Sequence, residues 1–407
     1  MGLLRDLGKH VYRHYRPWRD PLDVPLTTLP RTAEAFRRLH PTALLFDRIR
    51  VKRRLGAVVV LIPAISQDLL SAGPMTALRF AATMSDQTAR PLRVFTTNRF
   101  GPTAPGAEEN LRSLLGRPEM EIVHIGAGET AEAGAEDLWL ATYWTTALAL
   151  DVAVRSGVLD SDKVVYLVQD YEPCFYAWST AWASAQSTYR AGFHVVANSQ
   201  PLADYLSSHE GVLVAPELVL GPDLDMDRLK AVAANREIVR DGEAVDVFCY
   251  ARPGVQRNLF DLALAAATRA SDSTERPWRL LLAGENFDTP KVSGVDVVNL
   301  GRTDTRGYYD LMQRTPVALS LMLSPHPSHP PLDWAISGAT SVTNSFGPYK
   351  SGLHPRIVTA PAHPDAIGRL LASTINSAHI ADFQPLPRPL GRPMAEVVRA
   401  VVSLCSR

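Results

Sequence analysis

The chain has 407 residues, of which 46% are hydrophobic and 21% are charged, a composition that excludes a disordered or fibrous protein. Its 42 basic and 42 acidic side chains give zero net charge, so we expect no nucleic-acid partner. The three cysteines are far apart and odd in number, which favours a reducing compartment over a disulfide framework. The length suits two domains of about 150–200 residues each.

The first segment is strongly basic. Residues 1–54 hold 13 Lys and Arg side chains against 5 Asp and Glu side chains. In 3-LLRDLGKHVYRHYRPW-18 the apolar residues fall near one helical face and most basic residues lie elsewhere. This pattern is typical of a helix on an anionic membrane surface, and a helix packed on the protein is the alternative. We therefore treat 1–55 as a separate segment, and we expect a cytoplasmic protein attached through residues 1–19 to the inner face of the plasma membrane. The segment lacks the apolar core and cleavage site of a secretory signal.

Short apolar runs alternate with longer helical patterns from residue 56 onwards. The runs predict strands at 57–63, 92–97, 121–125, 138–143, 164–169 and 194–198, and then at 245–251, 279–284, 295–300, 317–323 and 340–344. Continuous apolar strands that alternate with helices are typical of parallel sheets covered on both faces. No apolar run reaches the roughly 18–20 residues of a membrane span.

The polar stretch 219–244 separates the two sets of strands and is predicted to be a hinge. We therefore predict two doubly wound, Rossmann-like α/β domains that face each other across a cleft. The predicted domains are residues 56–220 and 240–379. The apolar helix within the tail 380–407 is expected to complete the first domain.

Two carboxylates follow a core strand in 163-KVVYLVQDYEPCFYAWS-179. Ligands bind where parallel strands end, so Asp170 and Glu172 are candidate functional acids at a ligand-binding edge. The alternative is that Asp170 only caps the next helix and Glu172 is solvated. Three aromatic residues of the same stretch could present apolar faces to a substrate: Tyr171, Phe175 and Trp178.

A second candidate site opens the second domain, in 249-CYARPGVQRNLFDLALAAATRA-270. A strand is predicted to end at Ala251, and a largely apolar helix is predicted to begin near Gln256. A helix start offers free N–H groups and the positive end of the helix dipole to an anion. Arg252 and Arg257 flank this start, and their guanidinium groups suit bidentate contact with phosphate. Two surface arginines on an ordinary turn are the alternative.

A proline-rich loop follows the strand at 317–323. Four prolines between residues 325 and 331 predict that no helix begins before about Leu332. Asp333 would then lie in the first turn of a short helix, where the dipole favours a carboxylate that could bind sugar hydroxyls. His326 and His329 also lie in this loop, and each taken alone is more often a surface or supporting histidine than a ligand. No Cys or Glu completes a metal site with them, so no metal is expected.

In the first domain, Ala72-Gly73-Pro74 precedes a predicted helix, and its glycine would let the backbone approach a ligand closely. This is not a phosphate-loop fingerprint, because neither GxxxxGK[ST] nor GxGxxG occurs.

These motifs in combination resemble the rhamnosyltransferases of the WsaF type, which are retaining, GT-B-fold glycosyltransferases related to glycosyltransferase family four. The resemblance covers roughly residues 56–380. It is carried by Gln169-Asp170-Tyr171-Glu172-Pro173 with Ala197-Asn198-Ser199, by Tyr250-Ala251-Arg252-Pro253 with Arg257-Asn258-Leu259-Phe260, and by the run from Ser320 to Ser328.

The resemblance implies a role for each matching residue. Arg252 and Arg257 would hold the donor diphosphate, and Asp333 would stand in for the second glutamate of the wider family's E-x7-E motif, which binds the ribose. Pro325 occupies the position of the first glutamate, so His326 or backbone groups would substitute for it. The implied catalytic residues are Asp170, Glu172 and Arg252; the implied nucleotide-sugar-binding residues are Gly73, Arg252, Arg257, Asn258, Arg302, Ser324, His326, Ser328 and Asp333; the acceptor-side residues are Tyr171, Phe175 and Trp178.

The expected function is transfer of L-rhamnose or a similar 6-deoxyhexose from a nucleotide-sugar, dTDP-β-L-rhamnose, with retention of configuration. The acceptor would be a glycan or lipid-linked glycan of a growing bacterial surface polysaccharide, and no cofactor is expected. Two alternatives stay open: a nucleotide-sugar epimerase or hydrolase on the same fold, and a catalytically degenerate protein that binds a glycan or a partner. The aromatic residues after Asp170 disfavour an epimerase, and the presence of both arginines and Asp333 disfavours a degenerate protein.

Overall fold

The structure is a computed structural model that describes residues 39–40, 42, 48–52, 56–65, 72–98, 105–237 and 242–406. The chain divides into unit 1, Met1–Gly221 with Gly391–Arg407, and unit 2, Pro222–Leu390. The predicted amphipathic helix at residues 1–19 lies outside the described residues.

Unit 1 is built around a sheet of six parallel strands. The strands of unit 1, including two outside this sheet, are in chain order β1 (Ile49–Lys52), β2 (Val58–Ile62), β3 (Leu92–Thr96), β4 (Glu121–Val123), β5 (Ala131–Gly134), β6 (Leu138–Ala141), β7 (Val164–Val168) and β8 (His194–Ala197). Its helices are α1 (Ala72–Thr88), α2 (Ala107–Leu114), α3 (Trp144–Arg155), α4 (Thr180–Thr188) and α5 (Gln200–Glu210), together with the last helix of the chain. The main sheet has the order β4-β3-β2-β6-β7-β8, and β1 pairs with β5 in a separate parallel ribbon.

Both faces of this sheet are buried, which explains why its strands are apolar without interruption. In β2, Val59 and Leu61 pack into the core on one face, whereas Val58, Val60 and Ile62 pack into the core on the other. Successive side chains of a strand point to opposite faces, so a strand covered on both sides needs apolar residues at every position.

Unit 2 repeats the same arrangement. Its strands are β9 (Val245–Ala251), β10 (Trp278–Gly284), β11 (Asp296–Gly301), β12 (Val317–Leu319), β13 (Thr340–Asn344) and β14 (Ile357–Ala360). Its helices are α6 (Met226–Ala234), α7 (Phe260–Ser271), α8 (Thr305–Arg314), α9 (His329–Ile336) and α10 (Pro364–Asn376). The parallel sheet has the order β11-β10-β9-β12-β13-β14. Both main sheets therefore follow the doubly wound order of the Rossmann fold, and the predicted GT-B class with two Rossmann-like domains is confirmed.

The last helix, α11 (Met394–Cys405), returns to unit 1. Val397, Val398 and Val401 are buried against the face of the sheet that also packs on α1. The two stretches of chain that form unit 1 are joined where Leu220, near the end of the first stretch, forms a parallel bridge with Arg392, near the start of the second.

Some elements were not predicted. The short strands β1, β5 and β14 were missed. The predicted hinge at 219–244 contains a helix that was not predicted, α6, with Leu229 and Val232 buried. Asp225 caps this helix by accepting a hydrogen bond from the N–H of Arg228.

In the part of the chain that the structure describes, every helix is too short or too polar to cross a bilayer.

Candidate functional site

The candidate residues of unit 2 gather at one edge of its sheet. Arg252 directly follows β9, Arg302 directly follows β11, and the loop Ser320–Ser328 follows β12. Parallel strands end at the same edge, and this is the edge at which doubly wound sheets bind their ligands.

Glu285 holds Arg252 in place. The Nε of Arg252 donates to Oε1 of Glu285 at 3.1 Å, and the N–H of Gly254 donates to Oε2 at 3.0 Å. The Arg252 and Glu285 side chains are 34% and 31% exposed, so both remain accessible from solvent. Glu285 was not recognised in the sequence, although a Gly-Glu pair at a strand end was visible there.

The connection after β9 differs from the prediction. A short 3-10 turn occupies Gln256–Asn258, and α7 begins at Phe260, so the predicted helix start near Gln256 was wrong. Leu259 causes the break because it adopts a left-handed conformation with φ of 50°. Arg257 therefore lies in the turn that precedes α7.

The turn that carries Arg257 is tied to the loop after β12. The carbonyl of Arg257 accepts a hydrogen bond from the N–H of Leu323 at 2.7 Å. Asn258 is buried, and its Nδ2 donates to the carbonyl of Leu321 at 3.5 Å, a long contact. Asn258 thus supports the loop backbone.

Two further residues that sequence analysis missed support the same loop. Asn344 accepts the N–H of Met322 at 2.7 Å and donates to its carbonyl at 3.0 Å. Lys350 is 1% exposed, and its ammonium group donates to the same carbonyl at 2.5 Å. A lysine this deeply buried is rare, and no spacing in the sequence links it to Met322.

The loop is also closed by its own polar side chains. Ser324 accepts the N–H of His326 at 3.0 Å, and the Nδ1 of His326 accepts the N–H of Ser328 at 3.1 Å. All three residues are buried. Ser328 has a φ of 67°, a strained conformation for a residue other than glycine, which only a well-held surrounding maintains.

Asp333 lies in a different part of its helix from the one predicted. Helix α9 begins at His329, so the prediction of no helix before Leu332 was wrong. Pro330 and Pro331 occupy the first turn, where a missing N–H costs nothing. Asp333 consequently lies in the second turn.

Asp333 is a buried carboxyl group. It is 7% exposed, and its Oδ2 accepts a hydrogen bond from the hydroxyl of Tyr308 at 2.8 Å. Burial raises the pKa of Asp333 to about 7, although the hydrogen bond from Tyr308 acts in the opposite direction. Trp334, stacked on Phe248 with 4.0 Å between ring centroids, fixes the helix beside it.

Arg302 is exposed just beyond β11, and β10 separates β11 from β9. Its backbone N–H donates to Oδ1 of Asn286 at 2.9 Å. The structure thus anchors the backbone of Arg302 at the same edge as Arg252.

In unit 1, Gly73 lies inside the first turn of α1, whereas the sequence placed it before the helix. A Cβ atom at this position would lie 3.4 Å from Oε1 of Gln169, an ordinary contact. Gly73 therefore lies next to the segment that follows β7. This contact would also accommodate a residue with a side chain at position 73.

The two acids after β7 have different environments. Asp170 is 9% exposed, and its Oδ1 accepts the N–H of Tyr171 at 2.8 Å. Helix α4 is capped instead by Ser179, which accepts the N–H of Trp182, so the capping alternative for Asp170 is wrong.

Glu172 is 2% exposed, so the alternative of a solvated side chain is also wrong. Its Oε2 accepts the N–H of Trp144 at 2.5 Å and thereby satisfies the start of α3. Burial first, and the charge of Glu172 second, raise the pKa of Tyr166 well above its ordinary value. The carboxylate of Glu172 therefore lies in the core and caps a neighbouring helix, and its catalytic role stays a prediction.

The aromatic residues are also divided. Tyr171 is buried, and its hydroxyl donates to Oε1 of Glu210 at 2.5 Å, so its predicted role on the acceptor side stays a prediction. Phe175 stacks on Tyr143, with 6.1 Å between ring centroids. Trp178 is 89% exposed and stacks on Trp182, with 5.0 Å between ring centroids and 7° between ring planes.

Models of two protein domains match the chain. The WsaF N-terminal domain matches residues 57–200, and the WsaF C-terminal domain matches residues 245–372. The chain belongs to the WsaF family. The resemblance to WsaF-type, GT-B-fold glycosyltransferases that its motifs indicated is thus confirmed.

The WsaF-family chain is also similar to a longer curated protein. It is 31% identical over 351 residues to the O-antigen biosynthesis protein RfbC of Myxococcus xanthus. The match covers 83% of this chain and 24% of that protein, so the chain spans about a quarter of the length of this relative.

Among the solved structures that match the chain is a sucrose-phosphate synthase from Thermosynechococcus elongatus. Its TM-score is 0.48, with 11% identity over 86% of this chain and 97% of that one. A glycosyltransferase from Rickettsia africae has a TM-score of 0.49 and 10% identity over 86% of this chain and 98% of that one.

The raised pKa of Asp333 predicts a pH-dependent stability. The carboxyl group is protonated more readily in the folded chain than in the unfolded one. Its stabilising contribution is therefore complete below about pH 4 and is lost as the pH rises through about 7. Asp333→Asn does not titrate and keeps an oxygen for Tyr308, so it should gain stability relative to the wild type as the pH rises. A tenfold change in proton affinity corresponds to about 1.4 kcal/mol, so the gain should reach several kcal/mol.

Urea unfolding followed by tryptophan fluorescence between about pH 5 and pH 8 measures this difference. Parallel pH profiles for the wild type and Asp333→Asn would contradict the buried, proton-binding state of Asp333.

Proposed function

We propose that this WsaF-family protein transfers L-rhamnose or a similar 6-deoxyhexose from a nucleotide-sugar, with dTDP-β-L-rhamnose as the expected donor. The acceptor is a glycan or lipid-linked glycan of a bacterial surface polysaccharide, and configuration is retained. Membership of the family supports the transferase activity, and the name of the Myxococcus relative supports a place in polysaccharide synthesis. The observation that carries the proposal is the fixed guanidinium group of Arg252 at the carboxyl edge of the unit 2 sheet.

The donor diphosphate binds at Arg252 and Arg257 in this proposal. Nε of Arg252 contacts Glu285, and the terminal nitrogens of the guanidinium group are suited to bidentate contact with phosphate oxygens. As the glycosidic bond breaks, negative charge develops on the departing diphosphate. Groups already held in position stabilise this charge without reorganising, and a metal cofactor is not required.

The other donor contacts lie around Asp333. The Asp333 carboxyl group, held by the hydroxyl of Tyr308, binds the ribose, and Arg302 approaches the nucleotide from the end of β11. The loop Ser324–Ser328 borders the sugar and phosphates. The strained backbone at Ser328 supports this role, because strain of this kind concentrates where a ligand must be held.

Unit 1 provides the acceptor side. Asp170 orients the acceptor hydroxyl, and Phe175 and Trp178 offer aromatic faces to the methyl group or ring of a sugar. The acceptor attacks from the face that the diphosphate leaves, and an oxygen of that diphosphate takes the acceptor proton. Glu172 and Tyr171 hold the Asp170 segment in place from the core.

Substitution of Arg252 tests the donor site. Arg252→Ala should lower the rate of rhamnosyl transfer by about 10²- to 10³-fold, the scale for loss of one preorganised charge contact in a transition state. Arg252→Lys should recover only part of it, because an ammonium group lacks the planar fork. The measurement is mass-spectrometric detection of rhamnose transferred from dTDP-β-L-rhamnose to lipid-linked oligosaccharides, with and without a metal chelator.

Two other variants complete this experiment. Asp170→Asn should bind dTDP normally and transfer rhamnose slowly. Arg269→Ala is the matched control, because Arg269 lies near the far end of α7 in exposed ion pairs with Asp272 and Asp365. Wild-type turnover in Arg252→Ala would refute the phosphate role, and sugar release without any acceptor dependence would favour the hydrolase.

The basic segment attaches the enzyme to the inner face of the plasma membrane in this proposal. Residues 1–19 should bind vesicles that contain anionic lipid and ignore neutral phosphatidylcholine vesicles, and binding should weaken as salt increases. Co-sedimentation of the full chain and of a variant without residues 2–19 measures this. Undiminished binding by the shortened chain would remove the segment from the account.

A further inference from the structure

The contact between Glu285 and Arg252 has a geometry that suits a supporting role. Of the guanidinium nitrogens, Nε makes the hydrogen bond to this carboxylate. The two terminal nitrogens lie outside this hydrogen bond, and Tyr250 also interacts with the guanidinium group. A carboxylate placed in this way restricts the rotamers of the arginine and directs the other end of the group away from itself.

The backbone at Glu285 is fixed because the end of β10 pairs with the end of β9, directly before Arg252. Gly284 pairs with Ala251, and the N–H of Glu285 donates to the carbonyl of Ala251 at 3.0 Å. Gly284 has a φ of 156°, and a Cβ atom there would lie 2.3 Å from the same carbonyl oxygen. Only glycine permits this approach, so the Gly-Glu pair places the carboxylate beside Arg252.

The second oxygen of Glu285 fixes the turn itself. It accepts the N–H of Gly254 at 3.0 Å, and the N–H of Val255 closes the same turn on the carbonyl of Arg252. One carboxylate thus joins the side chain of Arg252 to the backbone two residues later. Loss of Glu285 would remove one hydrogen bond from each of these two groups at the same time.

We propose that Glu285 is a positioning residue that preorganises Arg252 and its turn for the diphosphate of the donor, an inference that rests on the proposed function. In this role the carboxylate acts through Arg252 and the N–H of Gly254 and does not take part in the chemical step. It restricts the rotamers of Arg252 before the ligand binds. Binding then costs less side-chain conformational entropy. Its negative charge opposes phosphate, but both side chains are partly exposed, and solvent weakens this repulsion.

A different role would have the opposite consequence. Glu285 already accepts hydrogen bonds from a guanidinium group and a backbone N–H, the donors that bind phosphate elsewhere. If the carboxylate occupied the phosphate position, its removal would strengthen binding of a nucleoside diphosphate. The sign of the change therefore decides between positioning and competition.

The experiment compares dissociation constants by titration calorimetry. dTDP, UDP, GDP and ADP are first tested with the wild-type chain, and the one that binds most tightly is then used with its monophosphate and its nucleoside. Glu285→Ala should bind the diphosphate about tenfold more weakly, the scale found for residues that orient a direct ligand contact. Binding of the nucleoside should not change. Glu285→Gln keeps one acceptor oxygen and should recover part of the affinity.

Glu275→Ala is the matched control, because this glutamate is exposed in the turn after α7. Unchanged or tighter diphosphate binding by Glu285→Ala overturns the positioning role, and equal weakening for diphosphate and nucleoside overturns it in favour of a general structural role. Failure of the wild-type chain to bind any of the four diphosphates would instead overturn the proposed function, and this inference with it.

Discussion

The parallel alignment of the strands is the constraint on which the rest of the structure depends. Strands that run in one direction must be joined by crossovers, and the helices in these crossovers cover both faces of each sheet. Every strand then ends at the same edge, so residues far apart in sequence become neighbours there. Arg252, Glu285 and the loop after β12 meet for this reason, although 33 positions separate the first two.

The same constraint determines what polar groups do at each edge. A loop that leaves a buried strand still has to satisfy its own N–H groups and those of the neighbouring helix. In unit 1, Glu172 accepts a hydrogen bond from the first N–H of α3, and Glu210 accepts one from the hydroxyl of Tyr171. In unit 2, Glu285 satisfies a turn and also holds an arginine that remains accessible. The partners of each carboxylate therefore distinguish Glu172, which is bound to a core N–H group, from Glu285, which binds an accessible arginine.

Most strands of the two sheets, though not the edge strand β14, could be predicted because their signal is local and repeated. The uninterrupted apolar run of β2 indicates a strand covered on both sides, and the alternation with helices indicates parallel pairing. Helix starts were harder. The break at Leu259 depends on a left-handed residue that is not glycine, and the start of α9 at His329 depends on two prolines that a first turn tolerates.

A candidate site residue can be recognised in the sequence where one residue type suggests one chemistry. Arg252 beside a strand end is such a case. The burial of Glu172 was not predicted, because its partner, the N–H of Trp144, lies 28 positions earlier and no local spacing reveals it. Lys350 and Asn344 were missed for the same reason, since both act on the backbone of Met322 through tertiary contacts.

The central claim is that the carboxyl edge of the unit 2 sheet binds a nucleoside diphosphate. Amide hydrogen exchange, recorded by mass spectrometry with saturating dTDP, UDP, GDP or ADP in turn, tests it most directly. The account predicts that at least one of them slows exchange in residues 249–260 and 320–336, the segments that carry Arg252 and Asp333. Unchanged exchange with all four nucleotides, or protection confined to other segments, would contradict it.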